Sequence, residues 1–359
     1  MRPLRVCLIA SSRFPVAEPF VGGLEAHTHS LARALSDRGH AVSLFAAHGS
    51  DSFADAENLD IQDDFRSTRT ARQDIAAPPE RWMEEHHAYL GLCLGLAATG
   101  RRRFDVIHNN SLHHLPVAMS AAIDLPMVTT LHTPPTPWLE SALRFASPHS
   151  TFLAVSEYTA AQWASSVSAR VVHNGVDTER WMPGPGGDAA IWFGRIVPEK
   201  APHVAIAAAR AAGMRLHIAG PILDGDYYAT RIAPELDDRI RYIGHLDSAA
   251  LAREVGSSAV TFVTPDWDEP YGLVAAESMA TGTPVATIAR GGVPEQITTE
   301  SGRLAAPGDI EGLAWAALEA ARLSRKRTRA HALRNCSIET MVDGYERAYS
   351  SVAAEARAS

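Results

Sequence analysis

The feature that most constrains this chain is one alternation that runs twice. In the first half, residues 4–10, 41–46, 105–108, 127–131, 152–155 and 170–173 form short apolar runs of the kind that make buried parallel strands. Between the first two lies a loop with Pro15, Pro19, Gly22 and Gly23. Leu24, His27, Leu31, Ala34 and Leu35 then fall at helical spacing until Gly39. This β-loop-α-β order opens a doubly wound sheet. The segment Asn174-Gly175-Val176-Asp177, followed by Pro183-Gly184-Pro185-Gly186-Gly187, reads as a linker. Beyond it the alternation restarts, with strands expected at 189–193, 215–219, 240–243, 260–263 and 284–287. Helices are expected at 201–212, 248–255, 272–281 and 310–323. The fold class is therefore α/β, with two Rossmann-like domains at 1–175 and 176–337. No strand follows the last helix, and the segment 338–359 is expected to cross back to the first domain. Residues 51–79 are polar and weakly periodic, either a loop over a site or a poorly ordered excursion.

A chain of 359 residues has room for two cores, and 46% hydrophobic with 21% charged residues is ordinary for a globular protein. The net charge of -8 argues against a nucleic-acid partner, which asks for a basic domain. Two basic runs stand out locally: Arg101-Arg102-Arg103, and residues 322–329 with five Arg or Lys. They read as solvated helix faces or as a weak peripheral contact with an anionic membrane surface. Cys7, Cys93 and Cys336 are odd in number and far apart, so they read as buried hydrophobes and not as disulfide partners or zinc ligands. The N-terminal apolar run is too short for a signal core, and no stretch of ~18 apolar residues could span a membrane, so a cytoplasmic location is expected. The 16 histidines include the pairs His86-His87 and His113-His114, but none stands in a His-x-x-x-His spacing, and no metal site is expected.

In open α/β sheets, ligands bind beyond the carboxyl ends of the strands, and two facing sheets make a cleft. Three second-half loops carry suitable chemistry. In Gly194-Arg195-Ile196-Val197-Pro198-Glu199-Lys200, Arg195 leaves a strand and Lys200 stands at the start of the next helix, which suits a diphosphate. In Glu269-Pro270-Tyr271-Gly272-Leu273, a turn into a helix presents free amides, with Glu277 eight residues after Glu269. If mostly helical, that is roughly 12 Å of rise. Two carboxylates so separated suit hydroxyls at two ends of a nucleotide-sugar. A glycosidase would hold its pair ~5–9.5 Å apart. In Gly291-Gly292-Val293-Pro294-Glu295, two glycines allow close approach of a backbone to a ligand or form a plain turn. In the first half, His108-Asn109-Asn110 ends a strand, and Asn109 and Asn110 are candidates for acceptor contact. Trp138 and Trp267 suit ring stacking or a core or rim position.

These stretches, in this order, resemble the C-terminal signature of the family-four (group 1) glycosyltransferases with the GT-B fold. Gly22-Gly23-Leu24-Glu25, Thr130-Leu131-His132-Thr133, Val155-Ser156-Glu157 and Asn174-Gly175-Val176-Asp177 resemble the same family's first half. The likeness covers nearly the whole chain. It departs at Ala201, where glycine is common, at a helix start where alanine is acceptable. The resemblance implies a cleft between two facing domains and a retaining, metal-independent transfer of a hexose from a nucleoside-diphosphate sugar, UDP favoured, to a hydroxyl acceptor. No cofactor is implied beyond that co-substrate. It implies that Arg195 and Lys200 hold the diphosphate and stabilise its developing charge. It further implies that Glu277 binds the ribose, that Glu269 holds the donor sugar with main-chain groups near Gly272 and Leu273, that Gly23 borders the phosphate, and that His132 lies near the reacting sugar or the acceptor. A sugar-nucleotide epimerase, a phosphorylase on a related scaffold, or a non-catalytic sugar-nucleotide-binding protein are the alternatives; fold alone does not separate them. Acceptor, sugar and oligomeric state stay open.

Overall fold

The computed structural model describes residues 2–51 and 65–358. Residues 52–64, most of the first part of the polar excursion, lie outside the described residues. The first sheet contains β1 (Arg5–Ile9), β2 (Ala41–Phe45), β3 (Val106–Asn109), β4 (Met127–Leu131), β5 (Thr151–Ala154) and β6 (Ala169–Val171). The second contains β7 (Ala189–Phe193), β8 (Arg215–Ala219), β9 (Ile240–Tyr242), β10 (Val260–Val263), β11 (Val285–Ile288) and β12 (Gly302–Ala305). All neighbours pair in parallel, in the orders β2-β1-β3-β4-β5-β6 and β12-β11-β10-β7-β8-β9. The strand order reverses between β1 and β3 in one sheet and between β7 and β10 in the other, and these are the places where a doubly wound sheet opens a crevice. Inner strands such as β3, β4, β7 and β10 are buried at every residue, because helices cover both faces.

Strand β12 is absent from the sequence reading. It has four residues, begins on glycine and exposes Leu304 at the sheet edge, so neither apolar run nor alternation marks it. Its Gly302 is required by proximity: a Cβ there would meet the Val285 carbonyl at 2.5 Å.

The helix Ile338–Ala358 lies on the first sheet. Ile338, Met341, Val342, Tyr345, Ala348, Tyr349 and Val352 make one stripe at helical spacing, buried against Leu4, Leu8, Leu31 and Leu35. Arg38 fixes its outer side through Asp343 (2.6 Å) and Glu346 (2.9 Å). The chain thus crosses between the sheets twice, and the crossings run side by side. Val176 N–H donates to the Cys336 carbonyl (2.8 Å) and Ile338 N–H to the Val176 carbonyl (3.0 Å). Gly175 has no space for a side chain, since a Cβ would lie 2.4 Å from the Ser337 carbonyl.

The basic run 322–329 is a solvated face only in part: Arg322, Lys326 and Arg327 are exposed. It enters the helix Arg325–Asn335, and two of its guanidiniums turn inward. Arg325 donates to the Gly256 (2.8 Å) and Ser258 (2.9 Å) carbonyls, and Arg329 to those of Trp181 (2.8 Å) and Thr178 (3.1 Å). Arg322 pairs with Glu319, and Arg101 of the other run with Asp124 (2.7 Å). Buried carbonyls need donors, and this is where these charges go. Among the described residues no helix is long and apolar enough to cross a membrane. The three cysteines are buried and free.

Candidate active site

Loops from the carboxyl ends of both sheets surround a cavity of about 360 Å³. Gly23, His132, Arg195, Lys200, Glu269, Gly272, Leu273 and Glu277 all line it. Asn109 and Asn110 do not.

After β7 the chain turns through Gly194 and Arg195. Gly194 touches the loop after β8 so closely that a Cβ on Gly220 would fall 1.8 Å from its carbonyl oxygen. Lys200 does not open the following helix. It ends a short 3-10 turn, Pro198–Lys200, and the helix Pro202–Ala211 starts only after Ala201. Ala201 is fully buried at φ 45°, ψ 54°, the left-handed region. It is therefore a strained position rather than an ordinary helix start.

After β10 the chain runs through Trp267 and Glu269 to Gly272, whose φ of 88° caps the helix Leu273–Ala280. The span from Glu269 to Glu277 is thus helical only from Leu273, and a 12 Å helical rise does not describe it. The Lys200 ammonium pairs with Glu269 Oε2, the Trp267 indole N–H donates to the same oxygen (3.0 Å), and Lys200 lies over the Trp267 ring at 5.3 Å. Arg195 is held only loosely, 3.9 Å from Glu199. Burial pushes the Glu277 carboxyl up to about 7.

The first sheet supplies the opposite wall. Gly23 opens the helix Gly23–Asp37, and a Cβ there would stand 3.2 Å from Leu273 Cδ1. The absent side chain keeps the walls close. His132 follows β4, with Nε2 2.7 Å from Asn110 Oδ1. With that oxygen accepting, Nε2 carries the proton and Nδ1 remains an acceptor. His27 packs edge-on against His132 (5.0 Å), and burial lowers its pKa to about 4 and that of His132 well below the usual value. Both imidazoles are neutral at pH 7. His108 lies deeper, between Tyr349 Oη (2.7 Å) and Thr130 Oγ1 (2.8 Å).

Two expectations change here. Asn109 and Asn110 have no exposed surface. Strand β3 lies between β1 and β4, and Asn110 N–H donates to the Ile9 carbonyl while Asn109 Oδ1 binds Ser111. Asn109 offers an acceptor nothing in this conformation, and Asn110 bears on the site only through His132. The loop Gly291-Gly292-Val293-Pro294-Glu295 likewise does not face the cavity. Cβ atoms on Gly291 and Gly292 would meet the Glu269 carbonyl at 2.1 Å and the Pro270 carbonyl at 2.3 Å, so the glycines admit the backbone of the loop that leads from Trp267 to Gly272. Glu295 reaches the first domain, where it accepts from Glu157 N–H (2.9 Å), Tyr158 N–H (2.8 Å) and His173 Nε2 (3.2 Å). Burial works to raise its pKa, but those hydrogen bonds outweigh it and hold the carboxyl below the usual value.

Sequence reasoning missed His27, Asn174, His245 and the turn Ala219–Pro221 as lining residues. His27 stands one helical turn after Gly23 and could have been found from that register. Asn174 Oδ1 is buried without a partner beside the cavity, a property of the fold that no local pattern announces.

The arrangement is a crevice with two cations and two carboxylates from one sheet, facing neutral imidazoles from the other. Residues 21–180 match the model for glycosyltransferase family 4, and residues 185–332 match that for glycosyl transferases group 1. The chain belongs to this family of GT-B glycosyltransferases. It is similar to glycogen synthase of Mycobacterium tuberculosis, with 28% identity covering 87% of this chain and 85% of that one. It is also similar to D-inositol 3-phosphate glycosyltransferase of Kribbella flavida, with 27% identity over 86% and 85%. Similar folds are Anabaena HepE in complex with UDP-glucose (TM-score 0.72, 18% identity, 97% of this chain and 100% of that one) and sucrose-phosphate synthase from Thermosynechococcus elongatus (0.73, 20%, 98% and 99%).

Proposed function

We propose that this glycosyltransferase moves a hexosyl group from a nucleoside-diphosphate sugar to a hydroxyl acceptor with retention of configuration, without a metal at the diphosphate, and acts in the cytoplasm. One observation carries the reading: Arg195, Lys200, Glu269 and Glu277 converge on a single cavity where the order of the second sheet reverses. Arg195 and Lys200 bind the diphosphate and stabilise the charge that grows on it as the glycosidic bond breaks, taking the part a divalent ion would otherwise play. Lys200 exchanges Glu269 for phosphate as the donor enters, and Glu269 then turns its free oxygen to the sugar hydroxyls. Glu277 binds the ribose, Gly272 and Leu273 offer main-chain groups, and Gly23 borders the phosphate from the other wall. His132, neutral and fixed by Asn110, accepts from a hydroxyl of the reacting sugar or the acceptor. In this reading the leaving phosphate takes the acceptor proton on the face it departs from. UDP is favoured, in keeping with the complex described for HepE. The division of the chain at 175 and 337 belongs to the same proposal.

The test is release of nucleoside diphosphate from a panel of nucleotide-sugars without added divalent metal, with the product anomer read by NMR. The wild type turns over one donor, Mg²⁺ does not accelerate it, and the anomeric configuration is kept. Lys200→Ala, folded by circular dichroism, loses about 10²–10³ in kcat. An inverted product overturns retention, and near-normal kinetics in the variant removes Lys200 from the phosphate site.

A further inference from the structure

The sequence offers no local spacing for a metal, yet the fold brings three imidazoles together. His86 comes from the helix Glu80–Arg103, while His113 and His114 stand after β3 where the helix His114–Met119 begins. One ring nitrogen from each lies within 4.8 Å of the other two. None of the three lines the donor cavity. We propose that His86, His113 and His114 form a second site, apart from the donor cavity, that binds a borderline transition-metal ion of the Zn²⁺ class.

Four observations support it. First, His86 Nδ1 and His113 Nε2 are buried without any hydrogen-bond partner. Buried ring nitrogens in native folds are nearly always satisfied, so this pair asks for an occupant. Second, the rings are held by aromatic walls. Trp82 stacks on His86 (5.1 Å), Tyr89 on His113 (4.3 Å) and Trp138 on His114 (4.9 Å). Such a shell orients ligands. Third, the donor set is imidazole alone. The neighbouring Glu85 carboxylate is turned to Arg13 (3.6 Å) and Arg81 (3.5 Å). Nitrogen donors select zinc, copper, nickel or cobalt over magnesium and calcium. Fourth, three protein ligands leave one tetrahedral position for water or a bound molecule.

Occupancy has a structural consequence. Zinc–nitrogen bonds of about 2.0–2.1 Å require the rings to draw closer than they stand. His113 Nδ1 now accepts from Leu115 N–H (3.2 Å), which leaves the ring proton on Nε2. Ligation through Nε2 moves that proton to Nδ1 and releases this cap, so the metal exchanges a cap on a six-residue helix for a cross-link between residue 86 and residues 113–114.

The test uses tag-free, full-length protein stripped with EDTA. Calorimetric titration with ZnCl₂ is expected to show one ion per chain, micromolar or tighter, and Co²⁺ to develop tetrahedral visible absorption. At a hundredfold excess over Kd, zinc raises Tm by roughly 5 °C. His86→Ala and His114→Ala weaken binding at least about a hundredfold. His113→Asn preserves an acceptor for the helix cap and removes the ligand, so a folded variant with unchanged zinc affinity overturns the site. Absence of saturable binding by the wild type does the same.

Discussion

Glu277 places a carboxyl with a pKa of about 7 where the ribose is proposed to bind. The folded state holds this proton more tightly than the unfolded chain, whose carboxyl titrates near 4.5. Folding of the empty protein is therefore weakened as pH rises from about 4.5 to about 7, and unchanged by this group above that window. Ribose hydroxyls that donate to the anion reverse the preference, so donor binding expels the proton. Calorimetry in buffers of different ionisation enthalpy should find proton release on UDP binding that approaches one per site as pH falls from 7 to 6. In Glu277→Gln the release should vanish; its persistence would remove Glu277 from the linkage. Ala201 gives a second prediction of this size. At φ 45° a Cβ costs roughly 1–2 kcal/mol, partly offset here by the packing of a buried methyl. Ala201→Gly should raise unfolding stability by up to about 1 kcal/mol in urea, and a loss of stability would show that the methyl contributes more than the strain. The residue types at these positions were legible in the chain. Their protonation and backbone strain were not, because both arise from burial that distant elements impose.

At the scale of elements, the loop from Gly291 to Glu295 ties the loop from Trp267 to Gly272, the proposed donor loop, to the helix Glu157–Trp163 of the first domain. Ser156 Oγ donates to the Pro270 carbonyl (2.6 Å), and the Tyr158 hydroxyl donates to Asp268 (2.7 Å), beside the three contacts of Glu295. The donor loop is therefore held from the opposite sheet. Glu295→Ala removes charge-assisted bonds worth about 1.4 kcal/mol or more in sum. The donor KM should rise roughly tenfold, with little change in Tm, and small-angle scattering should report a larger radius of gyration. Unchanged KM and scattering would show that other contacts hold this loop against the first domain. The strands with branched, apolar runs were legible because inner parallel strands are buried on both faces. Strand β12 was not, since pairing with β11 rather than side-chain pattern makes it a strand. The same limit hid the inward turn of Arg325 and Arg329 on the helix Arg325–Asn335, which look solvent-facing like their neighbours until the carbonyls they satisfy are seen.

For the whole molecule, the two sheets face each other across a cleft that the paired crossings at 174–177 and 336–338 span, and the last helix returns to the first sheet. The doubled alternation in the chain announced the two sheets, and the motifs announced two of the loops that meet the cavity, those after β7 and β10, but also singled out 291–295, which does not. The chain did not announce the pairing of the crossings, the turn of Asn109 and Asn110 into the core, or the gathering of His86 with His113 and His114. Each joins residues far apart in sequence. The central claim is that one cavity, built by both sheets, binds a nucleoside diphosphate through Arg195 and Lys200 rather than through a divalent ion. Calorimetric titration with a panel of nucleoside diphosphates, with and without Mg²⁺, tests it most directly. The account predicts one-to-one, micromolar binding of one nucleotide, UDP favoured, at equal affinity in both conditions. Binding that appears only with Mg²⁺, or no binding across the panel, would contradict it.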